Sequence, residues 1–122
     1  MSAIRVLIVD DIASVRRDLC TVLTLSGRLE VVGEASNGRE AIRLTESLKP
    51  DVILMDLEMP VMDGYEATRQ IKKHFSSCKV IALTVHDYQS ARTQAYGFGV
   101  DAFIVKGASL ESIVQSISSQ KE

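Results

Sequence analysis

The stretch VLIVDD, residues 6–11, places two adjacent carboxylates directly after a run of four apolar residues. An uninterrupted apolar run of this length predicts a strand that is buried on both faces, as in a parallel sheet covered by helices. A second run, VILMD at residues 52–56, ends in the same way at Asp56. The sequence therefore predicts that three carboxylates lie at one end of a buried sheet.

The composition is that of an ordinary globular domain. The chain has 122 residues, which is enough for one domain with its own core and too few for two. Hydrophobic residues make up 46% and charged residues 25%, so disorder is not expected. The formal net charge is −2, and the basic residues form no cluster larger than a pair such as Arg16–Arg17. Because binding to the phosphate backbone of nucleic acids needs a basic face, we expect no nucleic acid binding by this domain itself.

The sequence also carries signals about cellular location. No apolar run approaches the ~20 residues that cross a bilayer, and the N-terminus lacks the apolar stretch of a signal peptide. Cys20 and Cys78 stand far apart in apolar surroundings, so we expect two reduced, buried thiols. These features predict a cytoplasmic protein with no membrane partner.

Apolar runs of strand length alternate with segments of helical spacing along the whole chain. The runs lie at about residues 4–9, 29–35, 51–55, 79–84 and 101–105. The first helical stripe consists of Ile12, Val15, Leu19, Val22 and Leu23. The helix caps predicted further along are Asn37, Asp63 and Ser109. The segment at about 87–96 is mostly polar and has the fewest apolar side chains on the face that would pack against the sheet. Five alternations predict one doubly wound α/β domain with a parallel sheet.

In such sheets, ligands bind at the carboxyl ends of the strands. Each strand of the predicted central sheet ends in a polar group that could serve a ligand there. These groups are Asp10 and Asp11 after the first strand, Asp56 after the third, Thr84 after the fourth and Lys106 after the fifth. If these strands are neighbours, all five groups lie at one edge of the sheet.

A cluster of three carboxylates requires a positive partner. Two carboxylates ~4 Å apart repel by about 4 kcal/mol at an effective dielectric constant near 20. Oxygen ligands without His or Cys suit Mg²⁺, which can hold a phosphate oxygen as well. Asp56 stands alone and is the best nucleophile, whereas Asp10 and Asp11 are paired for the metal. With Lys106 and Thr84 as charge and hydroxyl donors, the group predicts a phosphoryl-transfer site.

Four motifs in order, LIVDD, DVILMDLEMPVMDG, VIALTV and AFIVK, resemble the receiver domain of bacterial two-component response regulators. The resemblance covers essentially the whole chain. It implies a flavodoxin-like (CheY-like) fold with strand order 2-1-3-4-5 and five helices. Residues 1–122 would form a single receiver domain with no output domain. The motif KGAS at 106–109 is similar to the NarL/LuxR-type subgroup, whose full-length members carry a helix-turn-helix DNA-binding domain.

The resemblance implies a role for each matched site residue. Asp56 resembles the phosphoacceptor, which takes its phosphoryl group from a histidine kinase or phosphotransfer protein. Asp11 resembles the direct Mg²⁺ ligand, Asp10 the acid that binds the metal largely through water, and the backbone carbonyl of Glu58 the third protein ligand. The side chain of Glu58 is either an exposed loop group or a group that tunes the lifetime of the phosphoryl group.

The resemblance also implies a conformational switch. Thr84 and Phe103 resemble the switch pair, in which the hydroxyl moves to the phosphoryl group and the ring rotates inward. Lys106 resembles the lysine that contacts the phosphoryl oxygen. It is followed by Gly107 where many receivers have a proline that favours a cis peptide bond. Because a cis bond without proline costs ~3 kcal/mol, the sequence leaves the geometry of this peptide bond open.

These features favour a phosphorylation-activated switch, which would catalyse its own phosphotransfer and slow dephosphorylation without being a turnover enzyme. Its output face would be the fourth helix, fifth strand and fifth helix, acting on transcription through an effector or a phosphorylation-enhanced homodimer. One alternative is a flavodoxin-like cofactor binder, although the charges of DDIAS at 10–14 would repel a phosphate. Another is a Mg²⁺-dependent aspartyl-phosphate phosphatase, although 122 residues leave no room for a substrate-enclosing cap. His86 is interpreted as an exposed side chain near the site.

Overall fold

The computed structural model describes residues 3–85 and 89–121. His86 and the first residues of the predicted fourth helical segment lie outside them. The strands are β1 (Ile4–Val9), β2 (Leu29–Ala35), β3 (Val52–Asp56), β4 (Lys79–Thr84) and β5 (Ala102–Val105). The helices are α1 (Ala13–Leu25), α2 (Gly38–Leu48), α3 (Gly64–His74), α4 (Gln89–Phe98) and α5 (Leu110–Ser119). Each predicted strand is confirmed to within one residue at either end.

All five strands are parallel, in the order β2-β1-β3-β4-β5. This confirms the predicted topology. Val9 pairs with Met55, Asp56 with Leu83, and Thr84 with Val105. The carboxyl ends of the four central strands therefore lie side by side, and the loops that follow them share one edge of the sheet.

The uninterrupted apolar runs are explained by a sheet that is covered on both faces. Successive side chains of a strand point to opposite faces, so the buried residues fall into two clusters. Leu7 and Ile53 belong to the cluster under α2, α3 and α4. Val6 and Leu54 belong to the cluster under α1 and α5.

The predicted caps of α2, α3 and α5 are confirmed. The side chains of Asn37, Asp63 and Ser109 accept hydrogen bonds from the backbone N–H groups three residues further on. Each cap fixes where a helix starts, and therefore how long the loop after the preceding strand is. Among the described residues, no helix is long and apolar enough to cross a bilayer.

The predicted inner stripe of α1 is wrong at its first position. Ile12 is 50% exposed and lies at the N-cap of the helix, with an extended backbone. The Asp10 carboxylate accepts a hydrogen bond from the Ile12 N–H, so the helix begins one residue later and this side chain faces solvent. Both cysteines are free thiols, but only Cys78 is buried, whereas Cys20 is partly exposed.

Candidate functional site

Three carboxylates meet at the carboxyl edge of the sheet. Asp10 follows β1, Asp11 follows Asp10, and Asp56 is the last residue of β3. One carboxylate oxygen from each lies within 4.8 Å of the other two. Asp10 is 1% and Asp56 6% exposed, whereas Asp11 faces solvent. The neighbouring ends of β1 and β3 thus bring together the acids that the sequence predicted to be close.

Lys106 is the cation beside this cluster. Its backbone N–H donates to the Thr84 carbonyl at 2.6 Å, which holds the end of β5 against the end of β4. Its Nζ lies 2.7 Å from Asp10 Oδ2 and 3.7 Å from Asp56 Oδ1. The lysine therefore lies between the two buried carboxylates and neutralises part of their charge.

The backbone around Asp10 is held firmly. Its N–H donates to the Ala35 carbonyl at 3.0 Å, and its carbonyl accepts from Arg16 Nη1 at 2.6 Å. One carboxylate oxygen, Oδ1, accepts from the Ile12 N–H at 2.9 Å. The other, Oδ2, is buried and forms an ion pair with Lys106 Nζ. The Asp10 carboxylate is therefore held by a backbone N–H on one oxygen and by the Lys106 ammonium on the other.

The pKa values of the site reflect burial and crowding. Burial raises the pKa of Asp56 from its ordinary 3.8 to about 7, against the lowering effect of the Lys106 charge, and the neighbouring Asp10 adds to the rise. Burial alone would lower the pKa of Lys106. The carboxylates of Asp10 and Asp56 outweigh that effect and hold its pKa above the ordinary value.

The donor set fits a hard divalent cation. Among the described residues, three carboxylates converge with no histidine or cysteine in the group, and Mg²⁺ prefers oxygen ligands of this kind. A cation here would oppose both the burial and the repulsion by Asp10 that raise the pKa of Asp56. The cluster is therefore a candidate magnesium site.

The remaining predicted residues lie around the cluster. Thr84 is 3% exposed and ends β4 at the same edge of the sheet. Phe103 on β5 is 9% exposed and pairs with Ala82, two residues further from that edge. Glu58 is exposed, and its backbone N–H approaches Asp56 Oδ1 at 3.4 Å. The structure thus brings Asp56 and Lys106 into one site and places the predicted switch pair on the two strands that lead to it.

A protein-family model described as the response regulator receiver domain matches residues 6–118. The chain belongs to the response regulator receiver family. The response regulator protein VraR of Staphylococcus aureus is 44% identical over 114 residues, which are 93% of this chain and 54% of VraR. This receiver domain therefore spans about half the length of the curated relatives it matches.

Two solved structures extend the comparison. The signal receiver domain of the putative response regulator NarL from Mycobacterium tuberculosis has a TM-score of 0.94 at 31% identity, covering 99% of this chain and 98% of that one. A DNA-binding response regulator of the LuxR family from Staphylococcus aureus has a TM-score of 0.90 at 30% identity, covering 97% and 98%. These similarities confirm the expected NarL/LuxR-type receiver and its CheY-like fold.

Sequence reasoning missed two residues at the site of this receiver domain. Gly64 is the first residue of α3, and a Cβ at this position would overlap the backbone oxygen of Asp56. The guanidinium of Arg92 lies 4.7 Å from the centroid of the Phe103 ring and covers it. The DG pair at 63–64 was the available signal for the close approach, and nothing in the polar sequence of α4 singled out Arg92. The Lys106–Gly107 peptide bond, whose geometry the sequence left open, is trans.

Proposed function

We propose that this receiver domain is a phosphorylation-activated switch that accepts a phosphoryl group on Asp56 from a histidine kinase or phosphotransfer protein, with Mg²⁺. Membership of the receiver family supports a signalling switch rather than a turnover enzyme. The observation that carries the proposal is the convergence of Asp10, Asp11 and Asp56 next to Lys106. A nucleophile, a cation site and a fixed ammonium at one place are the parts that phosphoryl transfer requires.

The transfer forms one bond and breaks one. A carboxylate oxygen of Asp56 attacks the phosphorus of a phosphohistidine, and the P–O bond forms as the P–N bond breaks. The imidazole nitrogen keeps the electron pair of the broken bond, and the ring leaves neutral when its other nitrogen carries a proton. In dephosphorylation a water oxygen attacks phosphorus as the P–O bond to Asp56 breaks. The Asp56 carboxylate leaves with the electron pair, and the water gives up a proton to solvent or to the released phosphate.

Four groups of this chain would hold the metal. Asp11 would bind it directly, Asp10 largely through water, and Asp56 and the backbone carbonyl of Glu58 would complete the protein ligands. Bound Mg²⁺ supplies positive charge that offsets the three carboxylates and the phosphoryl oxygens. Lys106, which already lies 3.7 Å from Asp56 Oδ1, would then turn from Asp10 to a phosphoryl oxygen.

The residues next to the site would pass the effect of phosphorylation to an output face. We propose that Thr84 donates its hydroxyl to the phosphoryl group and that Phe103 adjusts to the space it leaves. Both changes would reshape the face formed by α4, β5 and α5. Residues 1–122 would act as one receiver unit that controls a DNA-binding effector, directly or through a phosphorylation-enhanced homodimer. The DNA-binding LuxR-family relative supports transcription as the output.

Intact mass spectrometry after incubation with acetyl phosphate tests this proposal. We expect one phosphoryl increment in the presence of Mg²⁺, none in EDTA, and none in Asp56→Asn with Mg²⁺. Lys106→Met should be labelled much more slowly than the parent chain, because the ammonium next to Asp56 is lost. Labelling of Asp56→Asn at the parent rate would show that another residue is the acceptor. Continuous release of phosphate from a small phosphoester would favour a phosphatase instead.

A further inference from the structure

A second cavity, of about 430 Å³, lies at the edge of the sheet where the parallel strands begin. Asp51, which lines this cavity, comes directly before β3, whereas Asp56 is the last residue of that strand. Because a parallel strand rises about 3.3 Å per residue, the two acids lie roughly 17 Å apart. The volume is within the range of small-molecule sites. The cavity is therefore a separate place, away from the acid cluster, where a small molecule could bind.

The side chains that line the cavity are more cationic than anionic. Lys49, His74 and Lys121 line it, and Asp51 is the one carboxylate among the described residues of its wall. Asp51 is already paired, because its Oδ1 lies 3.2 Å from Lys121 Nζ and its Oδ2 accepts from the Arg5 N–H at 2.9 Å. Lys49 and His74 are exposed and have no ion-pair partner in the described part of the chain. The cavity therefore offers positive charge to an anion.

The Lys49 ammonium is not needed by the helix that it follows. Arg5 Nη1 donates to the Leu48 carbonyl at 2.7 Å and to the Lys49 carbonyl at 2.8 Å, and so neutralises the negative end of α2. Lys49 itself has a φ of +50°, in the left-handed region, where glycine or asparagine is more usual after a helix. The lysine therefore costs backbone energy and adds a charge that the helix end does not use.

The turn before β4 adds hydrogen-bond donors to the same wall. The Cys78 N–H donates to the Phe75 carbonyl at 2.9 Å, which places Ser76 and Ser77 at the two central positions of a four-residue turn. Both serines are exposed and line the cavity. Neither donates its N–H or its hydroxyl to another described residue. Adjacent backbone N–H groups in a turn, together with hydroxyls, are suited to the oxygens of a phosphate.

Another part of the wall is apolar. Pro50 and Phe75 line the cavity, and Phe75 packs against the core cluster under α2, α3 and α4. The His74 ring meets the Phe75 ring edge-on, with 6.4 Å between the centroids. A ligand that uses the cationic and the apolar parts of the wall must join an anion to a planar apolar group, because aromatic rings favour such partners.

We propose that this cavity binds a small phosphate monoester that carries an aromatic ring, a class represented by the nucleoside monophosphates. Lys49, His74 and Lys121 would pair with the phosphate. The turn at 76–77 would donate hydrogen bonds to its oxygens, and Phe75 would contact the ring. The inference does not rest on the proposed phosphoryl transfer, because the two sites lie at opposite edges of the sheet.

An NMR titration of the ¹⁵N-labelled chain with AMP tests the inference. EDTA is present so that no metal ion holds AMP at the acid cluster, and the salt concentration is about 0.15 M so that diffuse attraction is screened. We expect saturable shifts centred on the amides of Lys49, Ser76, Ser77 and Lys121. Adenosine and inorganic phosphate should each bind at least about tenfold more weakly than AMP, since each makes only part of the contacts.

Variants of two lysines separate a built site from general surface charge. Lys49→Gln should weaken AMP binding about tenfold, because a charge-assisted hydrogen bond is lost. Lys49→Arg keeps the charge and should retain most of the affinity. The matched control is Lys73→Gln, because Lys73 is an exposed cation in the last turn of α3 that does not line the cavity. It should change the affinity less than about twofold.

Four results would overturn the inference. They are the absence of saturable shifts with AMP, shifts centred on the acid cluster, equal weakening by Lys49→Gln and Lys73→Gln, and inorganic phosphate or adenosine binding as tightly as AMP. Labelling of Asp56 by acetyl phosphate is measured separately and should be the same in Lys49→Gln as in the parent chain. A failure of AMP binding would therefore leave the proposed function standing, and a failure of labelling would leave this inference standing.

Discussion

At the scale of single residues, Gly64 decides how closely α3 approaches the strand that carries Asp56. An added methyl group would meet backbone atoms of Asp56 and Leu57, which cannot rotate away as a flexible side chain can. We expect Gly64→Ala to lower the free energy of unfolding by about 2 kcal/mol, as overpacking does, and to slow phosphorylation. Urea denaturation and acetyl phosphate labelling measure the two effects.

Gly97 provides the control for that substitution. It lies inside α4 with no atom within 4 Å of an added Cβ. Gly97→Ala should therefore raise the free energy of unfolding by about 0.5 kcal/mol through helix propensity alone. If both alanine variants changed stability by the same amount and sign, the close approach at Gly64 would not be the cause.

Asp56 should make the stability of the metal-free domain depend on pH. Its pKa is about 7 in the folded chain and 3.8 ordinarily, so the folded state holds the proton more tightly than the unfolded state. Ionisation therefore costs stability that is lost progressively as the pH rises from about 4 to 7. In EDTA, Asp56→Asn should be more stable than the parent by up to about 4 kcal/mol at pH 8, with most of the difference gone at pH 4. A difference independent of pH would contradict a buried carboxylate that Lys106 neutralises only in part.

At the scale of elements, the β3–α3 loop holds strain that can be measured. Val61 is a β-branched residue whose backbone lies in the left-handed region, and its side chain is mostly exposed. Replacing it by glycine therefore removes backbone strain at little cost in packing. We expect Val61→Gly to raise the free energy of unfolding by about 1 kcal/mol in urea denaturation. Val61→Ala, which keeps a Cβ in the left-handed region, should gain less. A loss of stability in the glycine variant would mean that the side chain stabilises the fold by more than its backbone strain costs.

The fourth helix should be the easiest to open. Ala91 and Ala95 are its buried residues in the described part of the chain, whereas α5 buries Ile113, Val114 and Ile117. Little apolar area therefore holds α4 to the sheet, apart from the contact of Arg92 with Phe103. In native-state hydrogen exchange we expect α4 amides to exchange at least about tenfold faster than α5 amides. Equal protection of both helices would argue against α4 as the element that responds to phosphorylation.

At the scale of the whole molecule, the pattern along the chain predicts much of the fold. Buried parallel strands carry uninterrupted apolar runs, so the sequence alone predicted the positions of β1 and β3 and of the acids at their ends. The convergence of Asp56 with Lys106 followed from topology, because parallel strands end at the same edge. The strand order itself came from the resemblance to receiver domains.

The remaining features depend on geometry that residue types do not specify. The exposure of Ile12 follows from the hydrogen bond that Asp10 makes to its N–H, and periodicity alone assigned this residue to the core. The pairing of Lys106 with Asp10 is set by distances at the end of β5. The strain at Val61 arises from a turn whose sequence, PVMD, contains no glycine to announce a positive φ.

The central claim is that Asp56 is the acceptor because three acids and a lysine converge around it. Borohydride reduction of the protein after treatment with acetyl phosphate tests it most directly, since an aspartyl phosphate is reduced to homoserine and peptide mass mapping locates the converted residue. We predict homoserine at position 56 only, and only in samples that contained Mg²⁺. Conversion at Asp10, Asp11 or Glu58, or conversion at Asp56 that is unaffected by EDTA, would contradict the account.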